Sequence, residues 1–261
     1  MTRGAREVCR FVILANGRSG SNMLVTTLDE HPNVQCVGEV FNPGSSFGYE
    51  KWARKSLRRR IADRYARDYS IESYLDSCCV RDPRSRTHAV GFKVIYPGQF
   101  DRWASLRYSW RKHNFRVISL FRRNLLRKYI SSKIARRDGT WSSSEKRDAA
   151  IRIRFDLTEF KREVARMEAI YALLDSLTLE FRGIRIVYEE LLQDYVSGIQ
   201  EVLRFLEVSD AEADSIKPRT VRQNPSRISD LIENYDEILL ALRGTTYEEF
   251  LELEPVPRPM G

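Results

Sequence analysis

Residues 11–30 read FVILANGRSGSNMLVTTLDE. Phe11 to Ala15 is a short apolar run that predicts a buried strand, Asn16-Gly17 ends it, and MLVTTLDE has helical spacing. Between them lies the small-residue loop Arg18-Ser19-Gly20-Ser21-Asn22. The first amides of a helix point outward without partners and carry partial positive charge, so a loop of this kind wraps an anion closely. Gly17 and Gly20 permit close approach, Ser19, Ser21 and Asn22 supply short hydrogen-bonding side chains, and Arg18 supplies a forked cation. An ordinary strand-to-helix turn is the alternative reading. The nucleotide-loop pattern G-x-x-x-x-G-K-[ST] is absent, because no Lys follows Gly20.

Outward from this unit, Val34 to Val37, Ala89 to Ile95, Phe115 to Phe121 and Ile184 to Tyr188 read as further short strands. Helical spacing runs over Leu125 to Arg136, Ile151 to Leu177, Glu189 to Leu206 and Arg227 to Leu242. The expected fold class is α/β: a P-loop-like, three-layer fold with a central parallel sheet of about five strands flanked by helices. Residues 1–261 read as one domain, with a basic helical insertion at about 51–76, a polar break at Ser142 to Lys146 and an irregular tail at 254–261.

The composition, 42% hydrophobic and 31% charged over 261 residues, excludes disordered and collagen-like classes. No apolar run approaches the roughly 18 to 20 residues of a membrane span, and MTRGAREVCR has no apolar stretch behind its positive charges, so neither an anchor nor a secretory signal is expected. The four cysteines are too few for a disulfide framework, and adjacent Cys78 and Cys79 match no zinc spacing; a reducing cytoplasm fits this usage. The 44 Lys and Arg exceed the 36 Asp and Glu by +8, which points to an anionic partner: nucleic acid, a membrane surface or a small polyanionic cofactor.

A second basic segment narrows that choice. The fourth strand, FRVISLF, ends in Arg122 and Arg123, where a nucleotide triphosphatase would carry a magnesium-binding Asp, so metal-free anion binding is favoured. Ser131 follows Arg123 by eight residues, about two helical turns, and a phosphate fits between that guanidinium and hydroxyl. A solvated basic helix face is the alternative. Two anion sites at the ends of neighbouring parallel strands suit a nucleotide with phosphate at both ends of its ribose.

These segments resemble the sulfotransferases that use 3′-phosphoadenosine 5′-phosphosulfate (PAPS). Arg18-Ser19-Gly20-Ser21-Asn22 resembles the family's 5′-phosphosulfate loop, Arg123 with Ser131 resembles its 3′-phosphate motif, and VYEELLQDYVSGIQEVLRFLEV resembles the segment that contributes to the adenine pocket, here through Tyr188. RSGSNML, HPNV, GEVFN, VGFKV and TVRQNPSRISDLIENYDEI look most like bacterial carbohydrate sulfotransferases of the nodulation-factor and trehalose type. Asn22 departs from the usual Ser or Thr, and the cytosolic branch's Arg-Lys-Gly loop is absent. Lys217, Arg219 and Arg222 are the residues left to cover the 3′-phosphate, unless their Pro-containing stretch is a solvated connection.

The resemblance implies sulfuryl transfer from PAPS, leaving 3′-phosphoadenosine 5′-phosphate (PAP), to a hydroxyl of a saccharide or glycolipid, free or lipid-linked. Glu39, after the second strand at the carboxyl edge, is the expected general base, with burial beside Val40 and Phe41 the expected means of tuning it. A structural Glu–Arg pair is the alternative there. Arg18 and the loop amides are expected to stabilise the leaving group. Lys93 reads as a contact to the sulfuryl group or acceptor, or as a snorkelling strand-end Lys. His31 is a rival base that more simply marks a helix-ending turn, and His88 and His113 are weaker rivals. Phe155, Met167 and Tyr171 read as packing, while Trp52, Trp103, Trp110 and Trp141 are open to sugar stacking. An atypical P-loop kinase is the competing enzyme reading, and nucleic-acid binding through Arg54 to Arg67 the competing binding reading, although no nucleic-acid partner is expected.

Overall fold

A computed structural model describes residues 7–41, 69–75, 86–96, 103–139, 151–219, 224 and 227–251. Most of the basic insertion, the 142–146 break, the 254–261 tail, Cys78, Cys79, Trp52, Trp141 and Arg222 lie outside these residues.

Five parallel strands form one sheet: β1 (Cys9–Asn16), β2 (Val34–Cys36), β3 (Ala89–Tyr96), β4 (Arg116–Phe121) and β5 (Gly183–Val187), in the order β2-β3-β1-β4-β5. The helices in chain order are α1 (Ser21–Glu30), α2 (Ile71–Leu75), α3 (Trp103–Lys112), α4 (Leu125–Asp138), α5 (Leu157–Glu180), α6 (Tyr188–Gln193), α7 (Tyr195–Phe205) and α8 (Tyr235–Leu242), counted among the described residues. Alternate residues of β1 face opposite layers. Phe11, Ile13 and Ala15 pack with Leu24 and Leu28 of α1 and Ile199 and Leu203 of α7, whereas Val12 and Leu14 pack with Trp110 of α3 and Leu174 of α5. A third cluster joins α4, α5 and α8 through Ile130, Phe160 and Ile238. This is the expected three-layer arrangement, with apolar strands covered on both faces.

The strand order sets the site. The connection from β1 leaves towards β3 and β2, while that from β4 leaves towards β5, so a crevice forms between β1 and β4 at their carboxyl ends, where open α/β sheets bind ligands.

Several sequence-based boundaries move. Ser21 and Asn22, read as loop, already belong to α1. Residues 151–156 are extended rather than helical, Ile153 bridges Ile232, and α5 begins only after Asp156, whose side chain accepts the Glu159 N–H at 2.7 Å. The expected helix 189–206 breaks at Asp194, which caps α7 through the Ser197 N–H. Tyr188, read as the end of β5, opens α6. The expected helix 227–242 becomes a 3₁₀ turn at Ile228–Asp230 followed by α8. Helix α3 was not expected, although Trp103, Leu106 and Trp110 have the spacing; they lie among basic residues that masked it. Trp110 is fully buried against Trp103 and Phe181, which removes it as a sugar platform.

Candidate active site

The turn after β1 is built from one left-handed residue and one left-handed glycine. Arg18 has φ 65° and Gly20 has φ 85°, and Gly20 opens α1 with no side-chain cap, leaving the first-turn amides to an external acceptor. Ser19, fully buried, donates from Oγ to the Asn16 carbonyl and closes the turn. A Cβ added at Gly20 would run into Cδ2 and Cε2 of Tyr188, so the Tyr188 ring is the wall against which the loop is laid.

The β4–α4 turn meets this loop directly. Arg18 Nε donates to Ser131 Oγ at 2.8 Å, and Arg122 donates from a terminal guanidinium nitrogen to the Arg18 carbonyl at 3.0 Å. The Arg122 guanidinium also lies 4.9 Å over the Tyr188 ring, a cation–π contact. Thus Arg18, Ser131 and Tyr188, assigned from separate segments, come together at one sheet edge. Arg123 is placed differently from its expected role. Its backbone N–H donates to Glu189 Oε2 at 2.9 Å, and its guanidinium, 61% exposed, pairs with Glu190 at the surface. A phosphate at this turn would have to draw that side chain away from Glu190, a weak competitor because exposed pairs contribute little.

Glu189 has no part in the expectations drawn from sequence. Its carboxylate accepts the N–H of Arg123 through Oε2 and the N–H of Asn124 through Oε1, both at 2.9 Å, while Asn124 Oδ1 caps α4 by accepting the Arg127 N–H. Charge-assisted bonds of this kind contribute about 1.5–3 kcal/mol each and fix the turn. The only signal for it is its position beside Tyr188 at a strand end. Arg122, buried and central, likewise reads in the sequence only as the end of a strand.

The other half of the site surrounds Lys93. This residue lies inside β3, not at its end, in register with Ile13, and is 1% exposed. Its Nζ pairs with Glu39 Oε1 at 2.7 Å and donates to Asn22 Oδ1 in the first turn of α1. Burial pushes the Lys93 pKa down and the Glu39 carboxylate opposes that shift. Asn22 therefore has a defined use: its amide oxygen receives the ammonium and ties the loop to β3. Glu39 follows Gly38, whose φ is 79° and whose carbonyl accepts the Lys93 N–H at 2.8 Å. Glu39 thus forms an ion pair with the buried Lys93, next to the buried side chains of Val40 and Phe41 in sequence.

Other expected residues lie elsewhere. His31 caps the far end of α1, about 15 Å of helix from the loop, with Nε2 3.1 Å from the Ser209 carbonyl and Nδ1 accepting the Asn33 N–H; burial lowers its pKa. It closes a turn, as the simpler reading has it. Arg219 pairs at that same end with Asp29, at 3.3 Å, and with Glu30, which takes it away from any 3′-phosphate site. Phe155 and Met167 pack as expected, and Tyr171 adds a hydroxyl that bonds the backbone of Arg122.

Lys128 is the largest surprise. One turn before Ser131 on α4, it is 2% exposed and donates to Asn16 Oδ1 at the end of β1. Burial, reinforced by the Arg122 charge, brings its pKa down to about 7. From about pH 7 up to the ordinary lysine value the unfolded chain holds a proton that the folded protein has released. Stability contributed by this position therefore rises with pH through that window, at up to about 1.4 kcal/mol per unit. Urea unfolding between about pH 7 and pH 9.5 should show that rise in the unsubstituted protein and a flatter profile in Lys128→Met; equal slopes would exclude Lys128 as the group responsible.

At the carboxyl edge of the parallel sheet the turns after the first and fourth strands meet, which brings the Arg-Ser-Gly-Ser and Arg-to-Ser segments together. No family model matches the chain. Its full-length relatives are nodulation protein H of Rhizobium tropici, 27% identical over 255 residues and covering 96% of each chain, and nodulation protein H of Rhizobium meliloti, 28% identical over 265 residues and covering 97% of this chain and 99% of the relative. A sulfotransferase from Alicyclobacillus acidocaldarius has a loosely similar fold, with a TM-score of 0.45 at 16% identity over 84% of this chain and 87% of that one. Among the described residues no helix is long and apolar enough to cross a membrane, and no group of three or more His, Cys, Asp or Glu is positioned for a metal ion.

Proposed function

We propose that the enzyme transfers the sulfuryl group of PAPS to a hydroxyl of a saccharide or glycolipid, as the resemblance of RSGSNML, GEVFN and VGFKV to bacterial carbohydrate sulfotransferases implies. The observation that carries this reading is the 2.8 Å bond from Arg18 Nε to Ser131 Oγ, because it brings the two anion-binding segments within reach of one bisphosphorylated nucleoside. The residues suit that guest. The uncapped start of α1 with Arg18, Ser19, Gly20, Ser21 and Asn22 would hold the 5′-phosphosulfate, Ser131 and a redirected Arg123 the 3′-phosphate, and Tyr188 the base. Arg222 lies outside the described residues and keeps only its expected role.

When bound, the nucleotide supplies an activated sulfuryl group with a phosphate leaving group. Glu39 would accept the proton of the acceptor hydroxyl, and Arg18 with the loop amides would stabilise negative charge on the phosphate end of the nucleotide. Lys93, held between Glu39 and Asn22, orients the base relative to the loop. Isothermal calorimetry with PAP tests the cofactor. Micromolar binding is expected, weakened about tenfold in Arg123→Ala; absence of binding to correctly folded protein would remove PAPS from the scheme. Labelled PAPS with a panel of glycans then tests the acceptor class.

A further inference from the structure

A cavity of about 170 Å³ adjoins the loop at the carboxyl ends of β1 and β3. Asn16 and Tyr96 line its base, Lys128, Ser132 and Arg136 line one wall on α4, and Arg166 of α5 faces them. Lys128, Ser132 and Arg136 are four residues apart, so they form a single stripe about 12 Å long on α4.

The cations around the cavity are not equivalent. Lys133 is paired with Glu159 at 2.8 Å and Arg166 with Glu163 at 3.8 Å. Lys128 has three N–H groups and, among the described residues, one hydrogen-bond partner, Asn16 Oδ1; the Tyr171 ring lies 5.6 Å away. Arg136 has no carboxylate partner among the described residues. Lys128 is therefore buried at the end nearest the loop without a hydrogen-bonded carboxylate among the described residues, and Arg136 is exposed two turns outward. Glu163, which also lines the cavity and partly offsets the burial of Lys128, is itself shared with Arg166, so a ligand oxyanion on the stripe would complete the charge balance of the buried amine.

We propose that this cavity is the acceptor subsite and that it selects a saccharide bearing an anionic substituent, a carboxylate, phosphate or sulfate, bound along the Lys128–Arg136 stripe. The inference rests on the saccharide-acceptor reading given above. Asn16 and Gly17, which lead directly into the Arg18–Asn22 loop, line the cavity, so a sugar on this stripe would lie next to that loop. The lowered pKa of Lys128 is consistent with a site completed by its ligand, since an adjacent oxyanion would restore the charged form.

Calorimetry with three tetrasaccharides of equal length, neutral chitotetraose, an alternating hexuronate–hexosamine and its sulfated form, each with and without PAP, tests the assignment. At least tenfold tighter binding of a charged sugar is expected, and the two charged probes distinguish carboxylate from sulfate. Arg136→Gln, at an exposed position, should lower charged-sugar affinity about fivefold without altering PAP affinity, and Lys128→Gln should lower it further. Equal binding of neutral and charged sugars, or indifference to both substitutions, overturns the subsite. If PAP fails to bind while a charged sugar still binds through Arg136, the nucleotide reading falls and the subsite stands. If PAP binds but sugar charge makes no difference, the subsite falls and the nucleotide reading stands.

Discussion

Glu39→Gln should reduce turnover by about 10² to 10⁴-fold while leaving PAP affinity within about twofold, because a positioned general base contributes a factor of that order. The carboxylate lies 2.7 Å from Lys93 Nζ and so serves the folded state as well as the proposed chemistry. Removing one member of a buried pair costs about 3–5 kcal/mol, much of it from the charge left behind. A fall in activity alone would therefore be ambiguous. The double variant Glu39→Gln with Lys93→Met separates the two effects: it removes both charges, should recover much of the lost melting temperature and should stay inactive. Turnover within tenfold of the unsubstituted enzyme in the single variant, measured with labelled PAPS on folded protein, would eliminate Glu39 as the base.

Gly20→Ala should weaken PAP binding by about 30- to 100-fold. Two costs combine. A left-handed backbone, φ 85° here, is unfavourable for a residue with a Cβ by about 1–2 kcal/mol, and that Cβ meets the Tyr188 ring. Relief of either strain moves the first-turn amides or displaces the wall proposed to hold the base. Adding Tyr188→Ala to Gly20→Ala frees the space but not the dihedral angle. It should recover protein stability in part and nucleotide affinity very little. If Gly20→Ala binds PAP as tightly as the unsubstituted chain, the loop is not where the 5′ end is held.

The legible parts of this molecule are those encoded locally. The strand Phe11 to Ala15, the small-residue turn and the eight-residue step from Arg123 to Ser131 are each contained in a short window, and periodicity and composition suffice to read them. The contact between Arg18 and Ser131 spans 113 positions and exists only because β1 and β4 are parallel neighbours with Ala15 opposite Leu120. Lys128 is hidden for a different reason. In the run Arg127-Lys128 it looks like part of a solvated basic face, and nothing in a single sequence distinguishes the lysine that turns inward from those that do not. Expected helix lengths fail where a side-chain cap, Asp156 or Asp194, overrides a continuous apolar rhythm. The exposed pairing of Arg123 with Glu190 follows from the start of α6 lying beside the β4–α4 turn, a relation that depends on β5 lying next to β4.

Glu189 reaches from the start of α6 to two amides at the start of α4. One carboxylate thus serves as a hinge pin shared by two crossovers. Redesigning the purine side of the pocket through Tyr188 will disturb the phosphate side through its immediate neighbour, so nucleotide specificity in this scaffold has to be altered at both turns together.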